Sequence, residues 1–195
     1  MLFYVSNQKL CKGDFLARIS QLAAGKPDAI ILREKDLSRA DFYELAIQIK
    51  EICAKNQVKL IINQDIDTAA KVSGNVQLSM DHFMNFQGDF KSFKSLGVSV
   101  HSVEEAKKAQ KKGASYLIAG HIFATDCKKG LSPRGLDFLA AVCQAVAIPV
   151  FAIGGINDKR YPLVLKAGAA GACIMSETMV CQDPQSLADR YRKNL

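Results

Sequence analysis

Residues 116–119 read YLIA and run directly into GHIFATDCKKG at residues 120–130. The first four residues are apolar throughout, which is typical of a strand that is buried on both faces of a parallel sheet. A histidine, a thiol and two lysines follow this strand. A second apolar stretch, residues 149–153, ends in the glycine pair Gly154 and Gly155. A strand that ends in a proton-transfer group, and a later one that ends in an anion-binding turn, indicate an enzyme that acts on a small phosphate ester.

Short apolar strands of the same kind alternate with helical patterns along the rest of the chain. About eight strand–helix units in one chain favour a (β/α)8 TIM barrel over an open doubly wound sheet. The barrel is compact, since such domains usually have about 250 residues, and we predict one domain over residues 1–195. The closing helix is predicted to span Asp183 to Lys193 with Asp183 as its N-cap. Pro162 predicts a late start or a kink in the helix over residues 159–167.

Composition and charge argue against several other classes of protein. The chain has 195 residues and a net charge of +7, but its lysines are spread along helical patterns, so we predict no nucleic-acid partner. No apolar run reaches the roughly 20 residues that a membrane helix needs, so we predict no membrane span. The six cysteines form no CxxC pair, which favours a reducing, cytoplasmic location. The sequence leaves open whether the chain forms a homo-oligomer.

In a TIM barrel the active site lies at the carboxyl ends of the strands, and polar residues gather at these positions in the predicted strands. His121 has the pKa range needed for proton transfer near neutrality. Several of these groups also have structural explanations. His121 could support the fold, Cys127 could be a small loop residue, the glycine pair could form a tight turn, and Arg33 and Lys35 could form ion pairs inside the barrel.

The residues at these strand ends resemble the thiamine phosphate synthase and TenI (thiazole tautomerase) superfamily over nearly the whole chain. The resemblance rests on LREK at residues 32–35, IIN at 61–63, GHIFATDCK at 120–128 and IGGI at 153–156. The synthase branch has an aspartate directly after the asparagine and a second magnesium-binding aspartate in a later segment. This chain has Gln64 and His82 at those two positions, although the acids Asp65 and Asp81 are adjacent to them. Glutamine and histidine are poor replacements for carboxylates that hold Mg²⁺.

The tautomerase branch has the pattern GHxFxTDCKKG, which residues 120–130 match at every fixed position, and VQL, which residues 76–78 match. This resemblance implies the isomerisation of a non-aromatic carboxythiazole phosphate to the aromatic thiazole carboxylate phosphate of thiamine biosynthesis. The reaction is a prototropic shift, so we predict no cofactor and no metal. Two alternatives stay open: a thiamine phosphate synthase that joins a pyrimidine diphosphate to thiazole phosphate, and a non-catalytic regulatory protein that binds a phosphate metabolite.

For the tautomerase we predict His121 as the catalytic acid and base. The remaining predicted site residues are substrate-binding groups and phosphate-binding groups at the strand ends. The predicted substrate-binding residues are Arg33, Lys35, Asn63, Ser99, Thr125, Cys127 and Lys128, and the predicted phosphate-binding residues are Gly154, Gly155, Met175 and Ser176.

Overall fold

Eight parallel strands close into a barrel in the computed structural model, which describes residues 1–128 and 130–193. The strands follow one another around the barrel in chain order, and the last strand pairs with the first. The predicted (β/α)8 fold is therefore confirmed. The strands are β1 (Leu2–Val5), β2 (Ala29–Leu32), β3 (Lys59–Asn63), β4 (Asn75–Ser79), β5 (Ser95–Val100), β6 (Tyr116–Gly120), β7 (Val150–Ile153) and β8 (Gly171–Ile174).

Helices pack around the outside of the barrel, and several of them begin where the sequence offers a capping side chain. Asp14, Ser38 and Asp65 each accept a hydrogen bond from a backbone N–H in the first turn, which satisfies a donor that the helix itself leaves unpaired. The helices are α1 (Phe15–Ala24), α2 (Arg39–Asn56), α3 (Ile66–Val72), α4 (Met80–Asn85), α5 (Val103–Lys111), α6 (Gly135–Ala145), α7 (Tyr161–Lys166), α8 (Ser176–Val180) and α9 (Leu187–Arg192).

Two helix predictions have different outcomes. The late start of the helix that contains Pro162 is confirmed, because α7 begins at Tyr161 and the proline lies in its first turn. The predicted start of the closing helix at Asp183 is wrong. The Asp183 carboxylate accepts a hydrogen bond from the Ser186 backbone N–H and closes a turn, and α9 begins only afterwards. Lys129, which we expect on the surface, lies outside the described residues.

No helix in the described part of the chain has both the length and the apolar character that a membrane crossing requires. All six cysteines are unpaired thiols. Cys53 and Cys173 are buried in apolar packing, as predicted, whereas Cys143 is only partly buried. Burial raises the pKa of Cys53 to about 12, which makes it an unreactive core residue. The cytoplasmic location stays a prediction.

Aromatic side chains fill the inside of the barrel. The rings of Phe3 and Phe151 stack with their centres 4.2 Å apart, and the Tyr116 ring meets them edge-on at 5.9 and 5.6 Å. Residues of the opposite parity on the strands, such as Leu2 and Leu117, face the helices instead. Because the strands are buried on both faces, they are apolar at most positions, with β4 and β5 as the strands that carry several polar residues. The packed interior leaves the ends of the barrel as the places for polar chemistry.

Gly97 gives this interior the room it needs. It lies in register with Gln77 on β4 and with Tyr116 on β6. A methyl group on Gly97 would overlap both the Gln77 side-chain oxygen and the Tyr116 ring. The glycine is therefore required by the packing of its two neighbours rather than by its backbone conformation.

We expect Gly97→Ala to lower the free energy of unfolding by about 1–3 kcal/mol, since overpacking a filled core forces side chains off their preferred conformations. Urea denaturation measures the change. Combining the substitution with Tyr116→Leu, which removes the overlapping ring, should cost less than the sum of the two single changes. Strict additivity would show that the overlap with Tyr116 does not limit residue 97.

Candidate active site

The structure places the predicted site residues at the carboxyl end of the barrel, which we call the mouth. They fall into two groups that lie on different sides of it, with Ser99 on β5 between the two groups. Arg33, Lys35 and Asn63 follow or end β2 and β3, and Ser99 lies near the end of β5. The remaining residues lie after β6, β7 and β8: His121, Thr125, Cys127, Lys128, Gly154, Gly155, Met175 and Ser176.

The loop after β6 lies directly on the Gly154–Gly155 turn after β7. The Phe123 backbone N–H donates to the Gly154 carbonyl over 3.0 Å. A side chain on Gly154 would overlap the Cβ of His121, and a side chain on Gly155 would overlap the carbonyl of Ala124. Both glycines have positive φ, +100° and +63°. The glycine pair is thus needed for a close contact within the chain itself, which the sequence did not indicate.

The amides of this turn still suit an anion. Within residues 1–128 and 130–193, the backbone N–H groups of Gly154 and Gly155 donate to no other group. Unpaired backbone N–H groups in a turn can form an anion-binding concavity, although α7 begins only at Tyr161 and adds no helix start here. Phosphate binding at Gly154 and Gly155 stays a prediction.

A hydrogen bond to the loop holds the imidazole of His121 at the mouth and favours one tautomer of the neutral ring. The ring is half-buried, and its Nε2 lies 3.3 Å from the Leu131 carbonyl oxygen. A carbonyl oxygen only accepts, so Nε2 carries the hydrogen and Nδ1 is the basic nitrogen of the neutral ring. The carbonyl of His121 accepts a 2.9 Å hydrogen bond from the Arg134 backbone N–H, which ties the two ends of the loop together.

The other two histidines at the mouth are engaged by neighbouring groups. His101 Nδ1 donates to the Gly120 carbonyl oxygen over 2.8 Å, which supports the residue just before His121. His82 Nδ1 lies 2.6 Å from the side-chain oxygen of Gln64. The described residues contain no group of three His, Cys, Asp or Glu side chains that could hold a metal ion. Within the described residues, His82, His101 and His121 therefore do not form a shared metal site.

Cys127 joins the loop after β6 to the start of α8. Its Sγ lies 3.5 Å from the Ser176 Oγ, and its backbone N–H donates to the Thr125 hydroxyl over 3.4 Å. The thiol itself is exposed. The structure thus brings a predicted substrate-binding residue and a predicted phosphate-binding residue, 49 positions apart in the sequence, into contact.

Arg160 adds a positive charge next to the glycine turn that the sequence analysis missed. Its guanidinium donates to the Gly155 carbonyl over 2.7 Å and lies 4.9 Å from the centre of the Phe123 ring. Phe123 belongs to the loop after β6, so Arg160 holds loop and turn together by cation–π contact and hydrogen bonding. The basic pair Lys159 and Arg160, five positions after the glycines, is the signal that could have found it.

A cleft of about 690 Å³ opens on the β2–β3 side of the mouth. It is lined by Lys35 and Asn63 among the predicted residues, together with Glu34, Gln64 and Asp65. His121 and the glycine turn do not line it. The cleft and the histidine are therefore separate parts of the mouth.

Glu34 ties the residues after β2 to the residues after β1. Its carboxylate accepts from the Ser6 hydroxyl over 2.6 Å and from the Gln8 backbone N–H over 2.8 Å, and the Arg33 backbone N–H donates to the same Ser6 hydroxyl. Burial raises the pKa of Glu34, and the two hydrogen bonds act against that rise. These contacts fix the Arg33 backbone, whereas the described contacts do not join its side chain to the cleft or to His121.

Gln64 and His82 occupy the positions where the resemblance places magnesium-binding carboxylates, and they bond to each other. The side-chain oxygen of Gln64 accepts from the Ser79 backbone N–H as well as facing His82 Nδ1. Asp65, adjacent to Gln64, caps α3 by accepting from the Thr68 N–H over 2.9 Å. Asp81, adjacent to His82, accepts from the Asn85 side chain and is exposed.

This donor set does not fit Mg²⁺, which prefers several carboxylate and water oxygens in near-octahedral geometry. The Gln64 side-chain oxygen already accepts hydrogen bonds from two donors, the Ser79 backbone N–H and the His82 imidazole. The two adjacent acids each have a hydrogen-bond partner outside this set: Asp65 accepts from the Thr68 N–H and Asp81 from the Asn85 side chain. We derive no reaction step through a metal at this place.

Comparison with known proteins identifies the family. The family profile described as thiamine monophosphate synthase matches residues 2–178. The chain belongs to this family, whose members are enzymes of thiamine biosynthesis. The predicted superfamily is therefore confirmed, whereas the finer assignment to its tautomerase branch is not decided by the profile.

Two curated relatives and one solved structure are similar over nearly their whole length. Thiamine-phosphate synthase of Coprothermobacter proteolyticus is 35% identical, covering 98% of this chain and 93% of the relative. Thiamine-phosphate synthase of Fusobacterium nucleatum is 33% identical, covering 99% and 96%. The structure of thiamine phosphate pyrophosphorylase from Pyrococcus furiosus has a TM-score of 0.85 at 28% identity, covering 99% of this chain and 94% of that one.

We expect Asp65→Ala to lower the free energy of unfolding by about 1 kcal/mol, because it removes the cap of α3. Asp65→Asn keeps an accepting oxygen and should stay close to the wild type, as measured by thermal and urea denaturation. Equal losses in both variants would mean that the charge of Asp65, which lies 4.0 Å from the Arg39 guanidinium, matters more than the cap.

Proposed function

We propose that this protein is a thiazole tautomerase, which converts a non-aromatic carboxythiazole phosphate to the aromatic thiazole carboxylate phosphate. The observation that carries the proposal is the half-buried imidazole of His121, with Nδ1 as its basic nitrogen, on the turn that presents the Gly154 and Gly155 amides. A proton-transfer group and an anion-binding turn in direct contact suit a phosphorylated substrate that loses and gains a proton.

The proposed reaction moves one proton and needs no oxidant or reductant. The C–H bond of the ring carbon that carries the carboxylate breaks, and His121 Nδ1 takes the proton. The released electron pair moves through the conjugated ring and makes it aromatic. A C–H bond then forms at the exocyclic carbon with the proton from the imidazolium. A single imidazole can perform both transfers, because its unperturbed pKa of about 6.5 suits giving and taking a proton near neutrality.

The other groups at this side of the mouth bind and orient the substrate in this proposal. Gly154 and Gly155 hold the phosphate through their amides, with Met175 and the Ser176 hydroxyl at the adjacent strand end. Lys128, exposed in the same loop as His121, supplies positive charge for the carboxylate. The phosphorylated thiazole is thus the proposed small-molecule partner.

We expect His121→Gln to reduce the isomerisation rate by at least about 10²-fold, the usual contribution of a general acid–base group. The measurement is the change in ultraviolet absorbance and the uptake of deuterium into the product in deuterated water. His82→Asn is the matched control, since it alters another histidine at the mouth whose imidazole bonds only Gln64 among the described contacts, and it should retain activity.

Near-normal turnover by a folded His121→Gln variant would remove the imidazole from the mechanism. Binding of the thiazole phosphates by the wild type without any turnover would favour a non-catalytic binding protein instead.

Thiamine phosphate synthase is the second candidate, and the names of the curated relatives favour it. That reaction joins a pyrimidine diphosphate to thiazole phosphate with release of pyrophosphate, and the resemblance implies magnesium for it. The contact between Gln64 and His82 at the expected carboxylate positions, and the capping role of Asp65, rank it below the tautomerase.

We expect the wild type to release no pyrophosphate above background from the two synthase substrates in the presence of Mg²⁺, as followed by a coupled phosphate assay. The double variant Gln64→Asp/His82→Asp should bind Mg²⁺ more tightly than the wild type in calorimetry, because it restores two carboxylates. It should also keep the isomerase activity. Magnesium-dependent pyrophosphate release by the wild type would reverse the ranking of the two functions.

A further inference from the structure

A line of polar side chains crosses the apolar interior of the barrel below Ser99. Gln77, which is only 2% exposed, donates from its side-chain nitrogen to the Ser99 hydroxyl oxygen over 3.1 Å and to the Leu78 carbonyl over 3.4 Å. Its side-chain oxygen faces Gly97, as does the hydroxyl of Tyr116, which is 5% exposed. Neither of these two oxygens has a hydrogen-bond partner within the described residues.

The Leu78 carbonyl decides which end of the Gln77 amide faces Ser99. A carbonyl oxygen only accepts, so the NH₂ end must lie on the side of Leu78 and Ser99, and the oxygen must lie on the side of Tyr116. Burial raises the pKa of Tyr116 well above its usual range, so the phenol keeps its proton. The Tyr116 hydroxyl is therefore a donor on the same side as the Gln77 oxygen, and one buried water between the two groups would satisfy both.

This orientation has a consequence for Ser99. Its oxygen accepts a hydrogen bond from the Gln77 side-chain N–H, so its own hydroxyl hydrogen is free to be donated elsewhere. Ser99 is half-buried near the carboxyl end of β5, where the mouth begins. A polar line built into an apolar core is costly unless every member is satisfied, so its presence calls for a functional explanation.

The order of strands around the barrel indicates what Ser99 meets. β6, which precedes His121, lies between β5 and β7. In the proposed function the phosphate lies after β7 and β8, and the carboxylate is bonded to the carbon that gives up its proton to His121. The end of the substrate that carries the carboxylate then extends past His121 toward β5 and Ser99.

We propose that Gln77 is a positioning residue that aims the Ser99 hydroxyl at the substrate carboxylate, with the Leu78 carbonyl fixing the orientation of its amide. The inference rests on the proposed function for the identity of the ligand. It gives a role to the glutamine of the VQL segment, which the reaction itself does not use.

The first experiment compares two ligands by calorimetry, the aromatic thiazole carboxylate phosphate and the same compound without its carboxylate. Gln77→Met keeps the length of the side chain and removes its polar ends, and Ser99→Ala removes the hydroxyl. Each should weaken binding of the carboxylated ligand about tenfold or more, as expected for a lost hydrogen bond to a charged group, and leave the other ligand unchanged. In turnover, KM should rise more than kcat falls.

Asn75→Ser is the matched control. Asn75 is a buried polar residue at the opposite end of the same strand, and its side chain donates to the Leu60 carbonyl over 2.9 Å. This change should lower stability without altering the ratio of the two affinities. A wild-type ratio in both Gln77→Met and Ser99→Ala would overturn the proposal. An equal loss for both ligands would also overturn it, because the hydroxyl would then bind the phosphate.

A second measurement does not depend on any ligand. In ¹⁵N-labelled protein, the Gln77 side-chain amide signals, assigned by their absence in Gln77→Met, should exchange slowly with solvent and should shift in both Ser99→Ala and Tyr116→Phe. Asn75→Ser should leave them in place. Unshifted signals would overturn the polar line itself, whereas a wild type that binds neither thiazole phosphate, with the shifts present, would overturn only the proposed function and the ligand assigned to Ser99.

Discussion

The loop after β6 can lie on the turn after β7 only because residue 154 has no side chain. Any Cβ at this position would enter the space of His121, and the next glycine leaves the same kind of room for Ala124. The contact fixes the height of the imidazole above the barrel and keeps the turn amides close to it. Arg160 and the Leu131 and Arg134 backbone groups then hold the rest of the loop around that contact.

The polar groups on the two sides of the barrel mouth differ in type and in whether they already have hydrogen-bond partners. On the β6–β8 side, the groups are an imidazole, a thiol, a hydroxyl and backbone amides. On the β2–β4 side, the polar groups bond mainly to one another: Gln64 with His82, Glu34 with Ser6, and Asp65 with the start of α3. Side chains that are satisfied by their neighbours gain little from binding a ligand. This difference is the basis for proposing a reaction other than the one in the relatives' names.

Much of the fold could be predicted from the sequence because the strands are buried on both faces and interrupted by clear helical patterns. The apolar stretches at residues 116–119 and 149–153 correspond to β6 (Tyr116–Gly120) and β7 (Val150–Ile153), each within one residue of its predicted bounds. The start of α9 was misjudged because an aspartate followed by a proline is as good a turn as it is a helix start. The short helices α4 and α8 were missed because five or six residues carry too little periodicity to be recognised.

The candidate site was predictable as a location but not as a set of contacts. Strand ends could be listed from the sequence, so His121 and Ser99 were found. The partners of these residues depend on the register between strands, which apolar strands do not encode locally. The contact of Gln64 with His82 and the hydrogen bond of Gln77 to Ser99 both arise between neighbouring strand–helix units, at separations of 18 and 22 positions. For the same reason, the need for glycine at residue 154 was visible only once the loop after β6 was in place.

The stacked rings of Phe3 and Phe151, with Tyr116 edge-on against them, fill the interior of the barrel below the mouth. A small molecule therefore has no passage through the barrel axis, and whatever enters at the carboxyl end must leave by the same opening. Ligands that bind at the mouth therefore enter and leave through the same opening, so one ligand must be released before the next can bind.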